Sequence, residues 1–379
     1  MTMLLLAGIA LTLLALPVPP AHAAETVVMV PFQNLSGAGR APEAVSAALA
    51  RRMESRGYRV IRGEAVGDFL AAEKIRYLDS LSAASREKLL RRFDASAAVL
   101  GTIFDFAESS NPVVALSARL VAADGKVAWS AVAGLCADDT RKVFGLGRLS
   151  SLDALAPKAV EVLSRDLPDP GSASRLASAR SRPLDLSSPR TFRSAALEGG
   201  GNLVCLLPLE NRSSARVAPR VVGELLAQRL AASKGLRVVE AADFRDAMLT
   251  TGVYGVRTGD PEELKKLGAR VGTTLFLKGT IYAYKDVLPG SGAQTPEMEL
   301  QLALVDVASG KVLWTSSLAR KGTDYSGLLQ LGAISNAVTL SDQVVAEMIR
   351  AGEAARPLRG PGGSSASAPP PARTPGRPS

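Results

Sequence analysis

An internal duplication constrains the fold of this chain more than any other feature of its sequence. The segment VVMVPFQNLSG, from Val27, aligns with LVCLLPLENRSS, from Leu203, and the match continues through a helical pattern and a later hairpin. Fixed-period self-similarity of this kind indicates repeated structural units. The clearest matched positions are Pro31 and Pro208, Asn34 and Asn211, Pro42 and Pro219, Gly101 and Gly279, and Trp129 and Trp314.

Each copy predicts the element order β-α-β-α-α-β-β-β-α. An apolar run without alternation predicts a strand buried on both faces, and apolar residues at helical spacing follow it. Pro42 and Pro219 suit a first helical turn. The hairpins LSARLVAADGKVAWS and LQLALVDVASGKVLWTS alternate around a Gly-containing turn. We therefore expect an α/β (α+β) fold with two tandem mixed sheets of about five strands, each with helices on its faces.

Composition divides the chain into five parts. The stretch between the copies is rich in Ser, Arg and Pro, which predicts a linker, and the end is rich in Pro, Gly and Ser, which predicts disorder. The predicted parts are a signal peptide (1–23), the first domain (24–167), a linker (168–200), the second domain (201–350) and a disordered tail (351–379).

The first residues predict export. A short apolar run, MLLLAGIALTLLAL, leads to Ala21-His22-Ala23, the small-x-small pattern of a cleavage site. No Lys or Arg precedes the run, and no Cys follows it closely as lipidation would require. An uncleaved anchor, or lipidation from an upstream start, stays open. We expect a periplasmic protein without a transmembrane segment in the mature chain, and association with the outer membrane is an alternative.

The formal charge of +9 does not predict a nucleic-acid partner. More than half of the excess lies in residues 168–200 and 351–379, so the predicted domains are nearly neutral. Binding to nucleic acid calls for a basic face on a folded domain. Peripheral contact with an anionic membrane or with peptidoglycan is compatible with the basic segments.

Catalytic chemistry has few candidates. His22, the single histidine, leaves with the signal peptide, which excludes His-dependent triads and His-ligated metals from the mature chain. GLGRLS and GSGAQT contain glycines but lack the lysine and flanking elements of a phosphate loop. We therefore predict no catalytic residue, no cofactor-binding residue and no metal ligand.

Several polar residues still need an interpretation. The pair Asp138-Asp139 follows a strand and is expected to face water, although a catalytic or cation-binding role stays open. Glu262-Glu263 is expected at a helix N-terminus. Two further matched pairs are expected to satisfy backbone donors near the next helix, with a recognition loop as the alternative. They are Asn34 with Asn211, and Ser36 with Ser213.

The tryptophans and cysteines are expected to be buried. Trp129 and Trp314 are interpreted as packing residues of the hairpins rather than anchors for a partner. Cys136 and Cys205 lie in different copies, and buried thiols are favoured, with an interdomain disulfide left open.

The motifs V-P-F-Q-N-L-S-G, R-V-I, G-T-I and D-G-K-V-x-W together resemble a known group of envelope domains. Both copies resemble the TolB amino-terminal-like domain and its relatives, the curli-secretion lipoprotein (CsgG) family and the lipoprotein activators of penicillin-binding proteins. The resemblance implies an adaptor domain that recognises other proteins and carries no catalytic residues. The short polar insertion DVLPGSGAQTPEM does not suit the long hairpins of a curli-type pore.

These observations lead to three functional hypotheses. The first is a non-enzymatic periplasmic adaptor in envelope assembly, in cell-wall synthase activation, secretion or surface-structure assembly, whose partners are envelope proteins. The second is a small-molecule or glycan-binding module with its site between the two domains. The third is an enzyme that uses carboxylates alone, which predicts clustered acids with raised pKa values.

Overall fold

The protein was analysed as a computed structural model. The residues it describes are 25–140, 148–171, 188–193, 197, 202–233, 236–253, 260–287, 295–326 and 333–355. Several predicted features lie outside the described residues. They are the signal peptide, nearly all of the disordered tail, the segment GSGAQT up to its threonine, and both glycines of GLGRLS.

Both copies follow the predicted order of elements. The first consists of β1 (Thr26–Met29), β2 (Gln33–Asn34), α1 (Ala41–Glu54), β3 (Arg59–Ile61), α2 (Glu64–Ala72), α3 (Ala83–Phe93), β4 (Ala97–Ala107), β5 (Val113–Ala122), β6 (Val127–Cys136) and α4 (Leu152–Leu163). One more strand, β7 (Arg190–Arg193), comes before the second copy. The second copy consists of β8 (Asn202–Leu206), β9 (Glu210–Asn211), α5 (Ala218–Ala231), β10 (Leu236–Val238), α6 (Ala241–Thr251), α7 (Pro261–Val271), β11 (Leu275–Lys285), β12 (Glu297–Asp306), β13 (Lys311–Lys321) and α8 (Ala337–Ala354).

Each copy forms one mixed sheet, as predicted. The strand orders are β3-β1-β4-β5-β6 and β10-β8-β11-β12-β13-β7, with β2 and β9 pairing beside β4 and β11. The first three strands of each order are parallel and the hairpin strands are antiparallel. The strand β7, within the range assigned to the linker, pairs antiparallel with residues 314–317 of β13.

Local sequence signals explain where several helices begin. Pro42 and Pro219 lie in the first turns of α1 and α5, where the missing N–H costs no helical hydrogen bond. The side chain of Asp260 caps α7 by accepting a hydrogen bond from the N–H of Glu262.

Helices cover both faces of each sheet. In the first copy, α1 and α4 pack on one face around Trp129, whereas α2 and α3 pack on part of the other face around Leu100. In the second copy, α5 and α8 pack around Trp314, and α6 and α7 around Phe276. We call the pairs α1/α4 and α5/α8 the helix layers, and the opposite sheet faces the back faces.

Candidate functional site at the junction of the two copies

The back face of the first copy packs against the helix layer of the second. Phe104 and Ala115 of the first sheet belong to the same apolar cluster as α5 and α8, and Leu35 and Val132 pack against that cluster. The N-terminus of α8 also contacts β6, because Thr339 donates a hydrogen bond to the carbonyl oxygen of Gly134. The two copies therefore share a continuous core.

An ion pair crosses this junction. Arg119 of β5 donates to both carboxylate oxygens of Glu240, at 2.8 and 3.0 Å, and to the carbonyl oxygen of Asp79 at 2.8 Å. The two side chains are only 6% and 14% exposed. Burial by itself would lower the pKa of Arg119, but the carboxylates of Glu240, Glu224 and Asp79 together more than offset that effect and raise it. A bidentate pair of this kind holds two surfaces in one geometry.

The loop between α2 and α3 makes further contacts with the second copy. Arg220 of α5 forms an ion pair with Asp79 at 2.9 Å, and Arg245 of α6 donates to Ser80 at 2.9 Å. Both guanidinium groups lie over the ring of Tyr77, at 5.7 and 4.4 Å from its centre. Such cation–π contacts stabilise an arginine against an aromatic face.

Four carboxylates with raised pKa values lie at or near the junction. Burial raises the pKa of Glu224, which nearby Arg119 opposes, and burial raises the pKa of Asp243, which accepts a hydrogen bond from the N–H of Ala83. Burial and then the charge of Asp286 raise the pKa of Asp105 to about 6. Burial also raises the pKa of Asp286, although backbone hydrogen bonds from Val287 and Ala337 oppose this.

The hypothesis of a ligand site between the copies predicts a deep polar pocket there. Two surface depressions, of about 540 and 280 Å3, are each lined by residues of one copy, and neither is lined by the four carboxylates with raised pKa values. Among the described residues, the contacts of Arg119 with Glu240, of Asp79 with Arg220 and of Ser80 with Arg245 join the copies.

The matched Asn and Ser residues form the same hydrogen-bond network twice. In the first copy, Asn34 Oδ1 accepts from the N–H and hydroxyl of Ser36 at 3.0 and 2.7 Å, and Asn34 Nδ2 donates to the carbonyl oxygen of Ala38 at 2.8 Å. Asn211, Ser213 and Ala215 repeat these contacts at the same distances. The partners lie in the loop before the helix, so these side chains stabilise the loops that follow β2 and β9.

The adjacent carboxylates serve separate contacts. Asp139 accepts from the N–H of Cys136 at 2.7 Å and from the hydroxyl of Ser335 at 2.6 Å, which ties the two copies together. Asp138 pairs with Arg148 at 3.0 Å. Glu262 lies in the first turn of α7, as predicted, and pairs with Lys265.

The tryptophans and cysteines are interior residues. Trp129 is fully buried and Trp314 nearly so. Both thiols are buried and unbridged, and burial raises the pKa of Cys205 to about 12. No group of three or more His, Cys, Asp or Glu side chains in the described ranges is placed to hold a metal ion. None of the described helices combines the length and the apolar character needed to cross a membrane.

Sequence reasoning missed the charged residues of the junction. Aligned positions in the other copy hold different residues, so the duplication gave no signal for them; Arg119 aligns with Ala303, Glu240 with Arg62 and Arg220 with Glu43. One available signal was Arg119 itself, because an arginine within the apolar pattern of a central strand calls for a buried partner.

Comparison with known proteins gives one match to a protein family, over part of the chain. Residues 186–318 match the family model of the peptidoglycan-synthase activator LpoB. The match starts just before β7 and ends within β13, so it covers most of the second copy but not α8. The resemblance to the lipoprotein activators is therefore supported for the second copy, whereas the TolB and curli-secretion resemblances stay predictions. None of the curated proteins compared with the chain matches it.

Three solved structures are distantly similar to parts of this chain. The PelC dodecamer from Paraburkholderia phytofirmans is 17% identical, with a TM-score of 0.28, and the match covers 43% of this chain and 94% of PelC. Lipoprotein GNA1162 from Neisseria meningitidis is 22% identical, with a TM-score of 0.29 and coverages of 39% and 96%. The LpoB C-terminal domain from Escherichia coli is 18% identical, with a TM-score of 0.25 and coverages of 32% and 82%. Likenesses this distant say nothing about function.

Proposed function

We propose that this protein is a non-enzymatic accessory protein of peptidoglycan synthesis, which works in the periplasm by binding a peptidoglycan synthase. The observation that carries the proposal is the match of residues 186–318 to the synthase-activator family. The junction adds that the first copy holds the activator-like second copy in place, through the ion pairs of Arg119 with Glu240 and of Asp79 with Arg220. The first copy then serves as a support for the second.

The test is direct binding and stimulation with purified components. The full mature chain would be added to a purified bifunctional peptidoglycan synthase from the same source, and glycan-strand synthesis would be followed with labelled lipid-linked precursor. We expect saturable binding and a faster rate of synthesis. An unrelated periplasmic protein of similar charge is the control.

The outcomes separate the hypotheses. Binding with stimulation supports an activator, and binding without stimulation supports an adaptor for another step of envelope assembly. The absence of binding to any synthase of the source, from a folded chain, contradicts the proposal. Thermal-shift measurements with soluble wall fragments would then test the ligand-binding alternative.

A further inference from the structure

The back face of the second copy differs in polarity from its counterpart in the first. Four apolar side chains of the first copy that pack at the junction are replaced, at aligned positions, by polar or amphipathic ones. The aligned pairs are Leu35 and Arg212, Phe104 and Tyr282, Ala115 and Glu299, and Val132 and Ser317. The same half of the sheet therefore faces a protein interior in one copy and remains open in the other.

We call this open half of the second sheet the open face. It is centred on Tyr282, which is 39% exposed. The Tyr282 hydroxyl lies 3.1 Å from Gln301 Oε1, and the guanidinium of Arg212 lies 5.5 Å from the centre of the ring. These contacts hold an exposed aromatic ring in one orientation before any partner binds, and pre-organised side chains lose little entropy on binding. Tyr and Arg are also the residue types that most often dominate binding energy at interfaces.

Two other surfaces of the second copy are covered. Its helix layer shares a core with the first copy, and one sheet edge is closed by β7. If the activator-like copy contacts a synthase, as the proposed function holds, the open face is one exposed surface available to it. The corresponding half of the first sheet receives the helices α5 and α8, so a sheet face of this fold can accept helices.

A second copy of this chain is a poorer occupant. It would have to present its own free helix layer, α1 and α4. There the positions of the apolar Val217 and Val338 are taken by Arg40 and Asp153, which pair with each other at 3.4 Å. An outer surface of paired charges does not supply the apolar contacts by which the internal junction is held.

We propose that the open face, around Tyr282, Arg212 and Gln301, is the surface that binds a helical, mixed-charge surface of the peptidoglycan synthase. This inference rests on the proposed function. Exposed side chains of both signs, Glu210, Lys278 and Glu299, lie on the neighbouring strands β9, β11 and β12, so the partner surface carries both signs and binding weakens as salt is raised.

The test compares two double variants of the full mature chain. The first carries Tyr282→Thr, which places another residue of high β-propensity in the strand but removes the ring, together with Arg212→Ala. The matched control carries Arg51→Glu and Lys158→Glu on the exposed helix layer of the first copy. Affinity for the purified synthase would be measured by surface-immobilised binding, and folding by thermal melting.

We expect the open-face variant to bind at least about 10-fold more weakly. A loss of affinity of this size is usual when a central aromatic side chain and an arginine are removed from an interface. The control should stay within about 2-fold, since exposed charges away from an interface contribute little. Melting temperatures within about 3 °C of the wild type would show that both variants fold.

Each other outcome contradicts a defined part of the inference. If the control loses affinity and the open-face variant does not, the open face is wrong but the proposed function stands. If the wild type does not bind the synthase, the proposed function fails and this inference fails with it. If sedimentation shows a dimer of the wild type that the open-face variant loses, the occupant is a second copy instead.

Discussion

At the scale of single residues, Asp105 shows how the junction changes the chemistry of a side chain. It lies in β4 of the first copy, and the nearby Asp286 follows β11 of the second. Asp286 is held by N–H donors from Val287 and from Ala337 at the N-terminus of α8, at 2.9 and 3.0 Å. Donors at a helix N-terminus favour a negative charge. Asp105 is therefore the partner that gains most from holding a proton.

The raised pKa of Asp105 predicts a stability that depends on pH. Its pKa is about 6 in the folded protein against an ordinary value of 3.8, so the folded state binds its proton more tightly than the unfolded state. The stabilisation from that proton is complete below about pH 3.8 and is lost as the pH rises through about 6. Asp105→Asn should therefore raise the melting temperature relative to the wild type at pH 7.5 and much less at pH 4. An equal difference at the two pH values would contradict the assignment.

The loop is duplicated, so the same prediction can be tested once in each copy. Asn34→Ala removes two acceptor contacts and one donor contact from a half-buried loop, and Asn211→Ala removes the same set from the other copy. We expect each to lower the free energy of unfolding by about 1–3 kcal/mol, because buried backbone groups lose their partners. Chemical denaturation would measure it.

Asparagine-to-aspartate variants at the same two positions are the control. They keep both acceptor contacts but place a carboxylate oxygen against the carbonyl oxygen of Ala38 or Ala215, so the order of the losses caused by alanine and by aspartate should be the same in both copies. If the two copies ranked the substitutions differently, the interpretation of one common structural role would be wrong.

At the scale of elements, α8 is the helix whose surroundings differ most from its sequence pattern. Its apolar spacing is that of a helix on a sheet, yet polar residues such as Asp342 and Glu347 are also buried. Asp342 accepts from Arg229 of α5 at 2.7 Å. Glu347 pairs with Arg320 of β13 at 3.1 Å and accepts from the Tyr325 hydroxyl at 2.7 Å. Burial of this helix is therefore possible because its charges have partners.

The packing of α8 on the sheet predicts that a Gly→Ala substitution in this helix lowers the free energy of unfolding instead of raising it. A Cβ at Gly352 would lie 2.5 Å from Trp314 Nε1, whereas a Cβ at Gly223 of α5 would meet nothing within 4 Å. Gly→Ala in a helix normally stabilises by about 1 kcal/mol. We expect that gain for Gly223→Ala. Gly352→Ala should instead lower the free energy of unfolding by about 1–3 kcal/mol because it overpacks the core. Stabilisation by both variants would contradict the close approach of α8 to Trp314.

At the scale of the whole molecule, the junction predicts that the two copies unfold as one cooperative unit. Its apolar part belongs to the core of the second copy, and its ion pair is nearly inaccessible to water. Removing one partner of a buried ion pair leaves an uncompensated charge and costs about 3–5 kcal/mol.

This arrangement predicts a change in the unfolding mechanism. The wild type should unfold in a single calorimetric transition, and Glu240→Ala should lower its midpoint and separate it into two transitions as the copies uncouple. Glu87→Ala, which removes the exposed pair with Arg91 on α3, should leave one transition and cost at most about 0.5 kcal/mol. Two transitions in the wild type would show that the copies unfold independently.

Local sequence was enough to predict the duplication, the order of elements in each copy, the mixed sheets and the buried tryptophans. The elements and the buried tryptophans depend on periodicity and turn residues, which act over a few neighbouring residues, and the duplication shows as a match between two distant segments. The paired loops of Asn34 and Asn211 were predicted for the same reason, since their hydrogen bonds span at most four residues.

Which surface is covered and which is open was decided by tertiary structure. Arg119 and Glu240 are 121 residues apart in sequence and meet only because the back face of one copy docks on the helix layer of the other. The two copies also differ at these positions, so the repeat that revealed the fold could not reveal the junction. The open face around Tyr282 follows from the same asymmetry, because burial depends on what docks against a strand and not on the pattern of the strand itself.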